Sequence, residues 1–253
     1  MIINSYLYGS YDLDALAFFN AAGITDATQK SAYNTLVLGL KANSLYTKFQ
    51  AIYPMLGGTA TTHKFNAINP QDTDAAFRLV FSGGWTHSST GALPNGTNGI
   101  ADTRFKPSVN TASINSYHIS YYSGTNNTFS AVDMGGATAG IIDIEIYYLG
   151  SIYGGLMRGS FMSATAPANT SGLFVNSRTA SNSAMLYRNT TSLQTSTTAP
   201  NALCTDFIAL GARADGFYSN RQCRLATIGT GLTASEIVTF SGLVSTYQTT
   251  LGR

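Results

Sequence analysis

Few residues in this chain have the types and spacing that chemistry requires. The strongest group is Ile142-Asp143-Ile144-Glu145-Ile146, followed by Tyr147. On a β-strand side chains alternate between faces, so Asp143, Glu145 and Tyr147 share one face and the three isoleucines fill the other, core side. Carboxylates at i and i+2 stand ~6–7 Å apart along a strand. That is near the separation at which paired carboxyl groups act on a glycosidic bond. The commoner meaning of the pattern is two polar residues on the solvent side of a half-buried strand; a ligand-binding role for Asp143, Glu145 and Tyr147 is the third reading. Trp85 and His87 stand in Gly83-Gly84-Trp85-Thr86-His87. The indole could stack on a sugar ring while its N–H donates, although a lone Trp at a sheet corner is more often a core plug.

Other chemistry is thin. His87 has no nucleophile motif beside it, because Gly-x-Ser-x-Gly does not occur. His63 and His118 are isolated along the chain, and alternation places His118 opposite Tyr117 and Ile119, hence on the surface. Tyrosines in 116–123 and 145–153 fall on both strand faces. Outward ones offer flat contact area with a polar tip at low entropic cost. The candidate ligand-binding set is therefore Trp85, Tyr122, Asp143, Glu145 and Tyr147, with no catalytic residue and no cofactor expected. Calcium needs 6–8 oxygens, and the best cluster, Asp72 with Asp74, lacks a following Gly or bidentate Glu; no metal is expected. Cys204 and Cys223 have no zinc-like spacing. Two reduced, buried thiols are the default, and a disulfide stays open because it needs neighbouring strands. Gly-Gly pairs at 57–58, 83–84, 135–136 and 154–155 lack the Lys-Ser/Thr of a phosphate loop and read as turns and bulges.

Composition narrows the classes further. Of 253 residues, 44% are hydrophobic and 10% charged, with a net charge of +2; an average globular chain has about 25% charged residues. Low hydrophobicity and high net charge are both missing, so disorder is excluded. Fourteen scattered basic residues are too few for a phosphate-tracking groove, so no nucleic acid is expected. No apolar run reaches the ~20 residues of a membrane span, and no membrane partner is expected. The opening hexapeptide has neither the basic nor the apolar region of a secretion leader. Sequons at Asn95, Asn126, Asn169 and Asn189 are at chance level in so Asn- and Thr-rich a chain.

The elements that must position these residues are legible in part. Residues 14–22 form a helix stopped by Gly23. Thr25 or Asp26 caps a second helix, with Asp26 and Gln29 at capping-box spacing, and its Tyr33, Leu36, Val37 and Leu40 make one apolar stripe. Ser44 caps a third, short helix carrying Leu45, Tyr46 and Phe49. Strands are expected at 51–56, 77–82, 116–123, 140–149, 172–177, 183–189, 206–212 and 223–229, each short, β-branched or aromatic, and bounded by turn residues. Asn189 marks a strand–turn–strand corner, and 190–201 reads as a long loop. A last helix runs from Thr233 to about Leu251, with a capping box of Thr233 or Ser235 to Glu236 and a stripe of Ile237, Phe240, Val244, Tyr247 and Leu251. Many short strands with polar turns imply a mainly β, antiparallel sandwich or jelly roll. A helical lead-in (1–52) packs on a sandwich with a terminal helix (53–253), as one compact unit.

Residues 208–253 carry a resemblance. A strand ending Leu210-Gly211, one ending Ile228-Gly229, then Leu232-Thr233 and Glu236 at a helix start resemble the closing strands and terminal helix of concanavalin A-like, laminin G-like jelly rolls. Residues 55–105, with the helical lead-in, resemble the variant found in bacteriophage structural proteins. The resemblance spans about 12–253. It implies a non-enzymatic virion component, a fibre, tail-tip or capsid-decoration module assembled in the host cytoplasm. Its expected partners are other virion proteins, further copies of itself, and host-surface glycans. A bacterial lectin-like carbohydrate-binding module is the alternative, and a degenerate glycoside hydrolase a more distant one. Sandwich hydrolases of the laminarinase type use Glu-x-Asp-x-Glu on a strand; Asp143 and Glu145 match the last two positions, but Ile141 stands where the nucleophile would be.

Overall fold

The computed structural model describes residues 11–148, 152–157, 159–165, 169–213 and 215–253. The opening hexapeptide and the end of the strand expected over 140–149 lie outside the described residues. Among these residues the strands form two antiparallel sheets. The first has the order β13 (Thr191–Ser196), β12 (Ser183–Arg188), β11 (Gly172–Ala180), β6 (Tyr117–Ser123), β15 (Cys223–Gly229), β4 (Gly91–Pro94) and β3 (Trp85–Ser88), with β1 (Phe49–Tyr53) also paired to β15. The second has the order β10 (Ser160–Thr165), β9 (Ile152–Met157), β8 (Ile142–Tyr148), β7 (Met134–Gly136), β14 (Ala209–Leu210), β5 (Ile100–Asp102) and β2 (Val80–Ser82). The expected mainly β, antiparallel sandwich with helices at both ends of the chain is present.

Alternation divides the buried residues into two cores. Tyr117, Ile119, Tyr121, Phe174, Leu186 and Ile228 of the first sheet face Ile142, Ile144 and Ile146 of the second. The opposite side of the first sheet, with Leu173, Val175, Met185, Tyr187 and Leu225, is equally apolar and lies under helices. These are α1 (Leu13–Ala22), α2 (Ala27–Ala42) and α5 (Ala234–Thr250); α3 (Ala60–His63) and α4 (Pro107–Asn110) are single turns. Tyr33, Leu36 and Val37 of α2 meet Phe240, Val244 and Tyr247 of α5 in that second core. The layers therefore run helix, sheet, sheet.

Local signals explain the helix limits. Asp12 accepts from the Asp14 N–H at the start of α1, and Gly23 ends it at φ 67°, where a side chain would be strained. Asp26 accepts from the Gln29 N–H at 2.8 Å, but the Gln29 side chain does not return the bond. Its Oε1 accepts from the Gly57 N–H at 2.7 Å, tying α2 to the loop before α3. Thr233 and Glu236 form both arms of the capping box.

Three expectations change. The third helix is one 3₁₀ turn, Tyr46–Lys48, and Phe49 opens β1 instead, paired to β15. Strands β3, β4, β5 and β7 have only 3–4 residues, too few for alternation to register. Residues 190–201 open with β13 (Thr191–Ser196), a polar edge strand whose single apolar residue, Leu193, packs against the inner core. The Asn189 corner stands as expected, in the left-handed region at φ 51°. Both cysteines are buried, and no disulfide joins them.

Candidate functional site

The Asp143–Glu145 pair sits on the expected face of β8, but that face is not open. Both side chains are buried, covered by the segment that follows β14. Arg213 Nη1 donates to Asp143 Oδ2 at 2.6 Å and lies 3.9 Å from Glu145 Oε1. Its Nε and Nη2 hold Asp215 at 2.8 and 3.0 Å, and the guanidinium lies 5.0 Å from the Phe217 ring. Asp215 and Asp143 keep Arg213 charged despite its burial. Room comes from glycines on the flanking strands. Gly135 pairs with Asp143, and a Cβ there would come 2.7 Å from that of Asp143; Gly154 pairs with Glu145, and a Cβ there would collide with Glu145 Oε2. These two Gly-Gly pairs thus lie inside strands, not in turns. Burial and the neighbouring Asp143 charge push the Glu145 carboxyl up to about 8, so it is neutral at pH 7. The expectation of two solvent-facing acids fails because alternation assigns a face and says nothing about what covers it. Tyr147, on the same face, is half-buried.

A second buried ion pair went unnoticed in the sequence. Asp133 accepts from Ser219 Oγ at 2.5 Å, from Arg221 Nη1 at 3.2 Å and from the Ile146 N–H at 3.0 Å. It pins the same covering segment to β8 from the other end.

Trp85 lies on β3 at the edge of the first sheet, half-buried. It meets Phe81 of the second sheet edge-on at 5.2 Å, and its ring lies over Gly211, where a Cβ would come within 2.7 Å. The indole thus closes one end of the sandwich, and its N–H has no acceptor among the described residues. The histidines are not isolated. His63 and His87 face each other, Nδ1 to Nδ1, at 2.9 Å. Because His63 Nε2 accepts from the Gly58 N–H, its proton is on Nδ1 and is given to His87. Burial, with His87 next, pushes His63 down to about 3. His118, expected on the surface, is fully buried between Thr230 O at 2.6 Å and Thr227 Oγ1 at 3.0 Å, and burial pushes it down to about 4. Asp72, the best calcium candidate, is engaged by Lys64 and Arg78.

Tyr122 is the sequence candidate that reaches an open cleft, of about 450 Å³. The walls are the end of β6, the start of β11, the β12–β13 corner and the middle of α5. Tyr122, Asn169, Ser171, Arg188, Asn189 and Ser241 line it, with Gly242 and Ser245 on the helix. Its rim is fixed by internal bonds. Asn189 exchanges two bonds with Leu173, N–H to O at 2.7 Å and Oδ1 from N–H at 2.9 Å. Ser241 Oγ donates to Asn189 O at 2.6 Å, joining α5 to the corner. Arg188 Nε and Nη2 donate to Ser171 O at 3.1 and 2.8 Å. The Tyr122 hydroxyl, Asn189 Nδ2, Thr190 Oγ1, Ser245 Oγ and Arg188 Nη1 make no hydrogen bond among the described residues. The cleft therefore offers an aromatic wall and a set of unused donors and hydroxyls on a rigid frame. Sequence reasoning missed all of it except Tyr122, because α5 and the β12–β13 corner are about fifty residues apart.

No protein-family model matches the sequence, and no curated relative was found. Solved structures do resemble the fold. Domain 4 of AbnA, a GH43 extracellular arabinanase from Geobacillus stearothermophilus solved in complex with arabinotriose, aligns at TM-score 0.53 and 14% identity, over 77% of this chain and 98% of that one. The binding domain of Botulinum neurotoxin DC in complex with SialylT aligns at TM-score 0.49 and 11% identity, over 78% of this chain and 52% of that one. At 14% identity the likeness to the arabinanase domain is one of fold alone.

Proposed function

We propose that this chain is a non-catalytic binding module that takes a carbohydrate in the cleft between the β12–β13 corner and α5. The observation that carries this is the cleft's lining: an aromatic side chain, amides, hydroxyls and one cation, on a rim already fixed by hydrogen bonds. Its volume falls within the ~300–1,000 Å³ of small-ligand sites, and a pre-formed rim avoids the ordering cost of binding. The arabinotriose complex of the arabinanase domain is in keeping with this reading but does not carry it. That Asp143 and Glu145 are covered and held around Arg213 supports a binding role over a hydrolytic one.

Within this reading the module belongs to a bacteriophage virion, at a fibre, tail tip or capsid-decoration position, where symmetric copies dock to other virion proteins. The support is the resemblance of residues 55–105 and 208–253. Co-purification of the chain with particles tests that setting, and a chain never found on particles would remove it.

A glycan array tests the central reading. The wild type binds a set of oligosaccharides, and Tyr122→Ala weakens binding about tenfold, the loss expected for truncating an aromatic contact worth ~1.4 kcal/mol. Glu145→Gln leaves binding unchanged, and neither protein releases reducing sugar. Binding that survives Tyr122→Ala at full strength would place the site elsewhere.

A further inference from the structure

The cleft is charged as well as polar. Residues 146–205 contain no Asp or Glu, yet hold Arg158, Arg178 and Arg188. Arg178 is fully buried and gives its guanidinium to Ala180 O, Ser181 O, Met157 O, Thr198 O and Ser160 Oγ. Arg158 lies outside the described residues. Arg188 differs from Arg178: it lines the cleft and forms no ion pair among the described residues. It spends Nε and Nη2 on one carbonyl, Ser171 O. No carboxylate lines the cleft, and α5, which forms its other wall, carries a single acid, Glu236, held by Lys48 at 2.6 Å near the helix start.

A fixed guanidinium with an unused nitrogen is suited to a planar or tetrahedral oxyanion. The Ser171 carbonyl sets the guanidinium plane before any ligand arrives, so little rotamer freedom remains to be lost. A neutral sugar needs none of this charge, because the amides and hydroxyls already supply its partners.

We propose that the ligand of this cleft is an acidic glycan, whose carboxylate or sulfate is received by Arg188; this rests on the carbohydrate reading above. Recognition then divides along the cleft. Tyr122 and the hydroxyls of Thr190 and Ser245 contact the ring, and Arg188 takes the anionic substituent.

The test uses pairs on the same sugar backbone that differ at the anionic group: oligogalacturonate against its methyl ester, sialyllactose against its carboxyl methyl ester, and sulfated against unsulfated dextran oligosaccharides. At least one acidic member binds about tenfold or more tightly than its neutral partner, as a hydrogen bond to a charged group requires. The preferred pair identifies carboxylate or sulfate as the group recognised. The preference falls as salt is raised from 50 to 500 mM, disappears in Arg188→Gln, and is partly kept in Arg188→Lys. Arg188 also holds the Ser171 carbonyl, so the melting temperature of each variant is measured alongside; Arg188→Lys, which keeps the charge, covers the case of a poorly folded glutamine variant. Equal binding of acidic and neutral members overturns this inference and leaves the carbohydrate reading standing, as does an acidic preference that survives in folded Arg188→Gln. Binding to no member of any pair, nor to any glycan on the array, overturns the carbohydrate reading itself.

Discussion

Single side chains in this protein titrate in opposite directions, and their signs can be worked out. His63 and His118 are pushed down to about 3 and about 4, from 6.5 in the unfolded chain. The native state therefore binds fewer protons than the unfolded one below about pH 6.5, and their contribution to stability is lost as pH falls through that range. Glu145 does the reverse. Its carboxyl titrates at about 8 in the fold against 4.5 unfolded, so its contribution is full below 4.5 and lost as pH rises to 8. Below 6.5 the lowered histidines, His87 among them, outweigh one carboxyl; between 6.5 and 8 Glu145 acts without them. Stability should peak close to pH 6.5 and decline toward 8, measured by thermal melts across that range. Glu145→Gln should flatten the decline above 6.5 and steepen the rise between 4.5 and 6.5. The identities of these residues were legible in the sequence, but their burial was not. His118 was expected outside because a two-faced sheet was expected to have a wet face, and here both faces of the first sheet are covered.

Helices and strands were legible in proportion to the length of their pattern. The stripe of α2 repeats over about two turns and that of α5 over about three, and both helices were placed with their caps. Strands of three or four residues, and β9 with Gly154-Gly155 at its centre, carry too little alternation to register. The glycines of β7 and β9 were misread for a physical reason: they leave space for the side chains of the neighbouring strand, an effect that depends on pairing. Two predictions belong to α5. Phe240 is buried against Phe49 at a ring distance of 5.1 Å, so Phe240→Ala should lower stability by about 3–5 kcal/mol in denaturant unfolding. An exposed helix would show almost no change. Thr233 accepts from the Glu236 N–H in the capping box, and Thr233→Ala should lower stability by about 1 kcal/mol.

At the scale of the molecule, the sandwich presents a filled interior, a second sheet whose acidic pair is sealed by Arg213 and the residues from Asp215 to Arg221, and a helical layer over the first sheet. Where that layer meets the β12–β13 corner the packing leaves the polar cleft. The sandwich class was legible from the sequence because it follows from many short strands. The cleft was not, because it exists only where elements distant in the chain meet, and only Tyr122 pointed toward it. Gly242 gives direct access to the question. It sits in α5 on the cleft wall, and a Cβ built there meets nothing within 4 Å. Gly242→Phe should therefore fill the cleft while keeping the fold, with a melting temperature equal to or above that of the wild type, since Gly costs a helix about 0.5–1 kcal/mol relative to Ala. The most direct test is a glycan array read with the wild type and with Gly242→Phe side by side. Binding by the wild type and none by the folded variant is the predicted result; equal binding by both would contradict the placement of the ligand in this cleft.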